Sequence, residues 1–193
     1  MSRAVLTVVA LIAAFFMGIA SSGYAISHWP DLAGQRYGPW QRLSTIGQTD
    51  VDPYTRAYEH ISSEIPTGNA EGQVYFASTD SDGQALSGLC NYAIEGEIPA
   101  ARLFTLRAET TDGLLIKAPP FLQGALHSDQ ILFVGNSFKI NTGAKAQPDN
   151  WLAIQTTDQF HLVLTYYDVA VINDDTGNST RFPRIVKGSC LDV

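Results

Sequence analysis

The sequence has no cluster of basic residues, and this shortage argues against two classes of partner. Its 12 Lys and Arg are outnumbered by 19 Asp and Glu, for a net charge of −7. Nucleic acid and anionic lipid surfaces are both bound mainly through Lys and Arg. The composition therefore gives no support for a nucleic-acid partner or for electrostatic docking on a membrane.

Motifs for metal, cofactor or nucleophilic chemistry are also missing. The four histidines, His28, His60, His127 and His161, stand at none of the spacings typical of a zinc site. There is no G-x-S-x-G elbow and no phosphate-binding glycine loop. We therefore predict no metal, no cofactor and no identifiable catalytic residue.

Two segments resemble fragments of calcium loops. They are Asp80-Ser-Asp-Gly83 and Asn173-Asp-Asp-Thr-Gly177, and neither continues to the distal Glu of an EF-hand. We interpret both as turns in which Asp or Asn side chains bond to nearby backbone.

Charge is absent from the start of the chain after Arg3. Residues 4–26 carry no charged side chain, which is long for a cleaved signal peptide and typical of a spanning helix. We predict an uncleaved inner-membrane anchor formed by residues 4–26, with Arg3 inside and the remaining chain in the periplasm. A cleaved signal peptide, which would give a soluble periplasmic protein, stays the alternative because Gly23-Tyr24-Ala25 offers small residues at a cleavage site.

The two cysteines, Cys90 and Cys190, occur in no C-x-x-C motif. An exported domain with an even cysteine count favours a disulfide, so we predict a Cys90–Cys190 bond. Two buried free thiols are the alternative.

The remaining pattern divides the chain into three parts: an anchor or signal segment at 1–27, a polar, Gly-rich linker at 28–48, and one domain at 49–193. In the linker, Trp40 is expected to tuck onto the domain. Asp52-Pro53 opens an amphipathic helix extending to Glu64. We expect its apolar face, which includes Ile61, to cover the sheet.

From Gln73 onward the pattern is β. About eight short runs alternate with turns, notably Asp82-Gly83 and Asp112-Gly113. The run from Phe160 to Ile172 is longer than a typical strand, which predicts a bulge or bend near Asp168. The class is mainly β, an antiparallel sandwich or barrel.

These pieces resemble the family called domain of unknown function 1214, in the order expected across about residues 50–190. The resembling pieces are Asp52–Ala57, Asp82-Gly83, Leu86-Ser87-Gly88, Cys90-Asn91-Tyr92, Pro99–Arg102, Asn150-Trp151-Leu152, Phe160–Tyr167 and Pro183-Arg184-Ile185. The resemblance implies a jelly-roll-like β-sandwich in a bacterial envelope protein and no established reaction. The chain resembles a short, membrane-anchored form that lacks the second unknown domain, numbered 1254, of larger relatives.

One departure from the family concerns the residues after Arg102. Similar proteins tend to carry tryptophan there, where this chain has Leu103-Phe104. If that aromatic lines a pocket, the pocket is altered here.

The candidate binding residues form a polar and aromatic set on the β runs. Sandwiches can bind ligands with aromatics on a concave face and a few hydrogen-bonding groups. Equally, such aromatics can be ordinary core residues of strands. The set consists of Tyr92, Arg102, Asn150, Trp151, Tyr166 and Tyr167.

The lead hypothesis is a non-enzymatic, membrane-tethered module that binds a small molecule, a glycan or an envelope protein. The alternative is a periplasmic hydrolase of unknown substrate that uses Arg102 and nearby acids.

Overall fold

A computed structural model describes residues 2–43, 45–48, 50–62, 67–68, 71–97, 101–155, 158–169 and 182–191. Three helices and eleven strands are assigned within these residues, together with a 3-10 turn at Ser128–Gln130. The helices are α1 (Arg3–Ser27), α2 (Trp29–Ala33) and α3 (Pro53–Ser62). The strands are β1 (Gln35–Tyr37), β2 (Trp40–Arg42), β3 (Gly72–Ala77), β4 (Cys90–Glu97), β5 (Ala101–Thr110), β6 (Ala125–His127), β7 (Phe133–Val134), β8 (Ser137–Gly143), β9 (Asn150–Ala153), β10 (Phe160–Val169) and β11 (Arg184–Cys190).

The strands form two sheets that enclose one core. The first sheet has the order β1-β2-β3-β10-β5-β6, and the second has the order β11-β4-β8-β7. Strand β9 joins the second sheet by pairing in parallel with β8, and the other pairings of described strands are antiparallel. The prediction of a mainly β, antiparallel fold is confirmed.

The core follows from the alternation along the central strands. In β5, Phe104, Leu106 and Ala108 are buried and alternate with more exposed neighbours from Leu103 to Arg107. In β10, Leu162 and Leu164 face the same core. Each fully buried Leu contributes about 1.5–3 kcal/mol relative to an exposed one, so the central strands hold the sheets together.

The predicted turns occur where glycine supplies a left-handed backbone. Gly83 has φ +83° and Gly113 has φ +76°. After the Asp112-Gly113 turn the chain pairs back on β5 through a single β-bridge, Glu109 to Leu115. Asp168 has φ +50°, in agreement with the predicted irregularity of the long β10 region. Residues 170–172, the turn predicted at 173–178 and the second calcium-loop fragment lie outside the described residues.

The N-terminal segment is one apolar helix. Helix α1 has 25 residues, a mean hydropathy of 2.4 in its most apolar window, and no buried residue. At 1.5 Å per residue it is about 37 Å long, which exceeds the roughly 30 Å hydrocarbon core of a bilayer. The helix is long and apolar enough for either a membrane anchor or a signal segment.

The segment at 28–48 contains more structure than the predicted linker. Residues 35–37 and 40–42 form β1 and β2, and β2 pairs with β3 of the first sheet. Trp40 is fully buried, as expected, and its indole N–H donates to the Pro183 carbonyl at 2.6 Å. Gly38 and Pro39 form the turn between two strands, so these loop-type residues did not indicate a linker throughout.

Helix α3 begins as predicted. The Asp52 carboxylate accepts hydrogen bonds from the Tyr54 and Thr55 backbone N–H groups, at 2.9 and 3.0 Å, and from the Thr55 hydroxyl. These bonds hold the pKa of Asp52 below its usual value. The expectation that its apolar face covers the sheet is wrong, because Ile61 is 69% exposed and Thr55 is the one buried residue described in the helix.

Cys90 and Cys190 form a disulfide, as predicted. The two are register partners on β4 and β11, with Cα atoms 3.8 Å apart and a sequence separation of 100. A stable disulfide indicates a domain outside the reducing cytoplasm. The bond ties the last described strand to the middle of the second sheet.

Candidate functional site

A cleft of about 440 Å³ opens where β4 ends and where β8 and β11 begin. Three strands supply its walls, because the second sheet places these ends side by side. Its lining residues are Glu95, Gly96, Glu97, Val134, Ser137, Phe138, Lys139, Phe182 and Arg184.

The cleft has an aromatic floor. Phe138 and Phe182 are buried, with exposures of 4% and 6%. Gly96 permits this packing, since a Cβ at that position would lie 2.9 Å from the Cβ of Pro183. A side chain at position 96 would therefore push β11 away and change the cleft.

The rim of the cleft is charged with both signs. Lys139 and Glu95 form an ion pair at 2.9 Å, and both are about half exposed. Glu97 and Arg184 also line the rim, and neither forms an ion pair with another described residue. One carboxylate and one guanidinium are thus available beside an apolar floor.

Behind the floor, Phe182 joins a cluster of tyrosines. Its ring centroid lies 4.7 Å from those of Tyr37 and Tyr75 and 6.4 Å from that of Tyr166. Burial raises the pKa of Tyr75 to about 12 and raises the pKa of Tyr166 in the same direction. Both phenols stay protonated at neutral pH, and their rings pack behind Phe182.

Two of the predicted binding residues are core residues. Tyr92 is 1% exposed, and its hydroxyl accepts the Ser87 backbone N–H at 2.9 Å. Burial raises its pKa as well. Tyr166 is 2% exposed and packs edge-on against Tyr75 and Phe104. Neither lines the cleft.

The other predicted residues are dispersed. The Asn150 amide accepts from the Leu132 N–H at 2.7 Å and donates to the Leu132 and Lys139 carbonyls, both at 2.9 Å. These hydrogen bonds hold Lys139 of β8 close to Leu132, the residue that precedes β7. The Trp151 indole donates to the Gly143 carbonyl at 3.1 Å. Arg102 is exposed on β5 and Tyr167 is half-buried on β10, so the set forms no common cleft.

Leu103-Phe104, where the sequence departs from the family, does not line the cleft either. Phe104 is buried, and its ring centroid lies 5.1 Å from that of Phe138. Leu103 is half-buried on the other face of β5. The departure therefore affects the packing beneath the floor.

Sequence reasoning missed the cleft residues themselves. In the second sheet Glu95 is the register partner of both Arg184 and Lys139. These residues are far apart in sequence, and only the register brings them together. An alternating charged residue near the end of each strand was the available signal, and it is too common to single out a site.

The Asp80 segment is the turn that was expected. One Asp80 carboxylate oxygen accepts from the Asp82 N–H at 3.0 Å and the Gln84 N–H at 2.8 Å. No group of three or more His, Cys, Asp or Glu side chains suited to a metal ion occurs within the described ranges.

A family model described as "Protein of unknown function (DUF1214)" matches residues 71–170. No curated protein matches the chain. Two crystal structures have a similar fold. The VPA0106 protein of Vibrio parahaemolyticus is 16% identical, with a TM-score of 0.57, covering 72% of this chain and 36% of its own. A putative uncharacterized protein of Burkholderia cenocepacia is 14% identical, with a TM-score of 0.50, covering 94% of this chain and 43% of its own. The chain thus spans less than half of either structure.

Proposed function

The chain belongs to the family of proteins of unknown function DUF1214, and from that premise we propose that it is a membrane-tethered binding module of the cell envelope. Helix α1 anchors it in the inner membrane, and the β-sandwich lies in the periplasm. The cleft between β4, β8 and β11 binds a small molecule, a glycan or a segment of an envelope protein.

The tether is supported by the exposure of α1. Residues 3–24 are all exposed, so the sandwich covers none of this apolar surface. Water is an unfavourable solvent for the apolar side chains of such a helix, whereas the hydrocarbon of a lipid bilayer is a favourable one. The disulfide supports a compartment outside the cytoplasm, and Arg3 favours an N-terminus that stays inside.

The tether predicts that α1 stays attached in the mature protein. Mass spectrometry of the protein extracted from membranes is expected to give the mass of a chain that retains residues 4–26. A mature chain beginning at Ile26 would instead establish the cleaved-signal alternative.

Binding is supported by one observation, the combination of an aromatic floor with an ionic rim in the cleft. Ligand sites are usually concave, mostly apolar and oriented by a few polar groups. Phe138 and Phe182 form an apolar floor, and Arg184 offers a guanidinium that suits carboxylate or phosphate oxygens. The preferred ligand is therefore amphipathic, with an apolar or sugar face and an anionic group.

The experiment is ligand capture by the intact chain, purified in mild detergent from its own envelope fraction. Native mass spectrometry is expected to detect a co-purifying molecule, and Arg184→Gln is expected to lower its occupancy several-fold. Arg102→Gln is the matched control, because Arg102 is an exposed arginine on β5 outside the cleft. Equal occupancy in both variants, or no bound molecule in the unaltered chain, would contradict a binding role for the cleft.

The hydrolase alternative gains no specific support. Arg102, on which it relied, is exposed and forms no ion pair with a described residue. In the cleft, Glu95 is engaged by Lys139. A binding module is therefore the function that the geometry favours.

A further inference from the structure

The apolar face of α3 meets the chain near the end of α1 at Tyr54 and is exposed at its other end. Tyr54, Ala57, Tyr58 and Ile61 share this face, because residues three, four and seven positions apart lie on one side of a helix. The Tyr54 ring stacks on Trp29, the first residue of α2, with centroids 5.0 Å apart. The Trp29 indole also donates to the Thr55 hydroxyl at 2.8 Å. Yet Tyr54 and Ile61 remain 41% and 69% exposed.

The position of α3 along the anchor sets its depth. With Arg3 at the inner boundary, about 20 residues of α1 cross the roughly 30 Å hydrocarbon core. The hydrocarbon core then ends near Gly23. Helices α1 and α3 are in contact, and Ala25 and Ile26 are the half-buried residues of α1. This contact therefore holds α3 at the level of the lipid headgroups.

The side chains around this contact suit the headgroup zone. Tyr24, Trp29 and Tyr54 are aromatic residues with a polar atom, the type enriched at membrane interfaces. Leu32 on α2 is 62% exposed and adds apolar surface beside them. The net charge of −7 and the lack of a basic cluster exclude electrostatic attraction to anionic lipid as the force that would hold α3 at the membrane surface. Insertion of apolar surface is the remaining mode of contact.

We infer that α2 and α3 form a membrane seat, defined by Trp29, Leu32, Tyr54 and Ile61, that lies in the headgroup region of the bilayer spanned by α1. The seat holds the sandwich in one orientation on the membrane instead of leaving it on a free tether. This inference rests on the tether of the proposed function and names the bilayer as the partner of α3.

The opposite end of the first sheet provides the control position. Gly47 donates to Glu59 of α3 at 2.8 Å and packs beside Thr67, which in turn lies beside Gly72 at the start of β3. This places α3 near the Gly72 end of the sheet. Leu114 follows Thr110 at the other end of β5, and its exposure of 67% matches that of Ile61.

The test uses an environment-sensitive fluorophore on single introduced cysteines in the full chain. The structure has no free cysteine in its described residues, so with the disulfide closed the introduced thiol alone reacts. The variants are Ile61→Cys, Leu114→Cys and Phe15→Cys, the last in the middle of α1 and 64% exposed. Each is reconstituted in vesicles of phosphatidylethanolamine and phosphatidylglycerol that contain a lipid quencher, placed either at the headgroup or deep in the acyl chain.

The seat predicts that position 61 is quenched several-fold more by the headgroup quencher than position 114, and that position 15 is quenched by the deep quencher. Raising the salt concentration should leave the quenching at position 61 unchanged. Quenching at 15 without quenching at 61 would leave the tether intact and overturn the seat. No quenching at 15 would overturn the tether itself, and equal quenching at 61 and 114 would overturn a fixed orientation.

The same variants distinguish a protein partner from lipid. A label at position 61 that is protected from water but untouched by either lipid quencher would indicate that another protein covers α3. That result would overturn the membrane seat. The melting temperature of each labelled variant is expected to match that of the unaltered chain, since all three positions are exposed.

Discussion

Reduction of the Cys90–Cys190 bond should strongly destabilise the sandwich. The bond joins register partners of β4 and β11 across a loop of 100 positions. Between Lys187 and Cys190 the pairing of β11 with β4 is interrupted by a register shift. The disulfide therefore secures the part of β11 that the hydrogen-bonded ladder holds least regularly.

The size of the effect follows from loop closure. For a loop of about 100 residues the chain-entropy model gives about 4.7 kcal/mol, and removal of a native disulfide typically costs 2–5 kcal/mol. Small domains are stable by about 5–15 kcal/mol, so the loss is a large share of the total. For a domain of this size it corresponds to a fall in melting temperature of roughly 10–20 °C.

The assay is thermal unfolding of the full chain in detergent, followed by tryptophan fluorescence because Trp40 is fully buried. Oxidised protein is compared with protein that has been reduced and alkylated, and with the double variant Cys90→Ala, Cys190→Ala. Reduction releases both thiols together, and a brief pulse of alkylating reagent should then modify Cys190 before Cys90, because Cys190 is exposed and Cys90 is 6% exposed. A reduced protein that melts within a few degrees of the oxidised one would refute the loop-closure reasoning.

Two further predictions concern the aromatic cluster behind the cleft. Phe182→Ala should lower the free energy of unfolding by about 3–5 kcal/mol, because Phe182 is 6% exposed and contacts three tyrosine rings. Urea unfolding measures this against Phe121→Ala, a control at a fully exposed phenylalanine, and equal stability of the two variants would contradict it. Stability should also fall as pH rises from 10 to 12. Burial raises the pKa of Tyr75 to about 12 in the folded chain. The unfolded chain therefore releases this phenol proton at a lower pH than the folded chain does, and rising pH favours unfolding. The loss from Tyr75 is about 2–3 kcal/mol, and Tyr75→Phe, compared by urea unfolding at pH 8 and 12, should weaken the pH dependence; an unchanged dependence would argue against this phenol as its source.

The features that the sequence predicted are those set by local physics. The alternation of short runs and turns after Gln73 predicted a mainly β fold, because side chains along a strand point alternately to its two faces. Asp52 next to Pro53 predicted the start of α3, because the side chain of Asp satisfies free N–H groups at a helix N-terminus. Gly83 and Gly113 predicted turns because glycine adopts positive φ without strain.

The features that it did not predict depend on partners distant in sequence. Glu95, Lys139 and Arg184 meet because their strands pair in one register, and no local pattern specifies that register. Tyr92 and Tyr166 were plausible binding residues for the same reason that they are good core residues, since aromatics favour strands in either role. The candidate binding site is therefore the cleft between β4, β8 and β11, and those two tyrosines belong to the core.

The error about α3 has a different origin. The spacing of Tyr54 and Ile61 established that the helix has an apolar face, and it said nothing about what that face meets. The spacing of apolar residues is the same whether a helix packs against a sheet or lies on a bilayer. The Trp29 indole contacts Tyr54 and Thr55 at the start of α3, and no spacing in the sequence indicates this contact.

Helix α1 and the cleft are consequently connected by ordered structure. Trp29 holds α3, and the Pro30 carbonyl accepts a hydrogen bond from the Gln41 side chain on β2. A few residues beyond α2, the Tyr37 ring packs on Phe182 at the floor of the cleft. A free linker would allow the sandwich to rotate relative to α1, whereas these contacts join α2, which follows α1, to α3 and to the first sheet. With α3 on the lipid, as we infer, two sets of contacts would fix the orientation of the cleft relative to the bilayer: those of α2 with the sandwich and those of α3 with the headgroups. A ligand would then enter the cleft from one direction relative to the membrane.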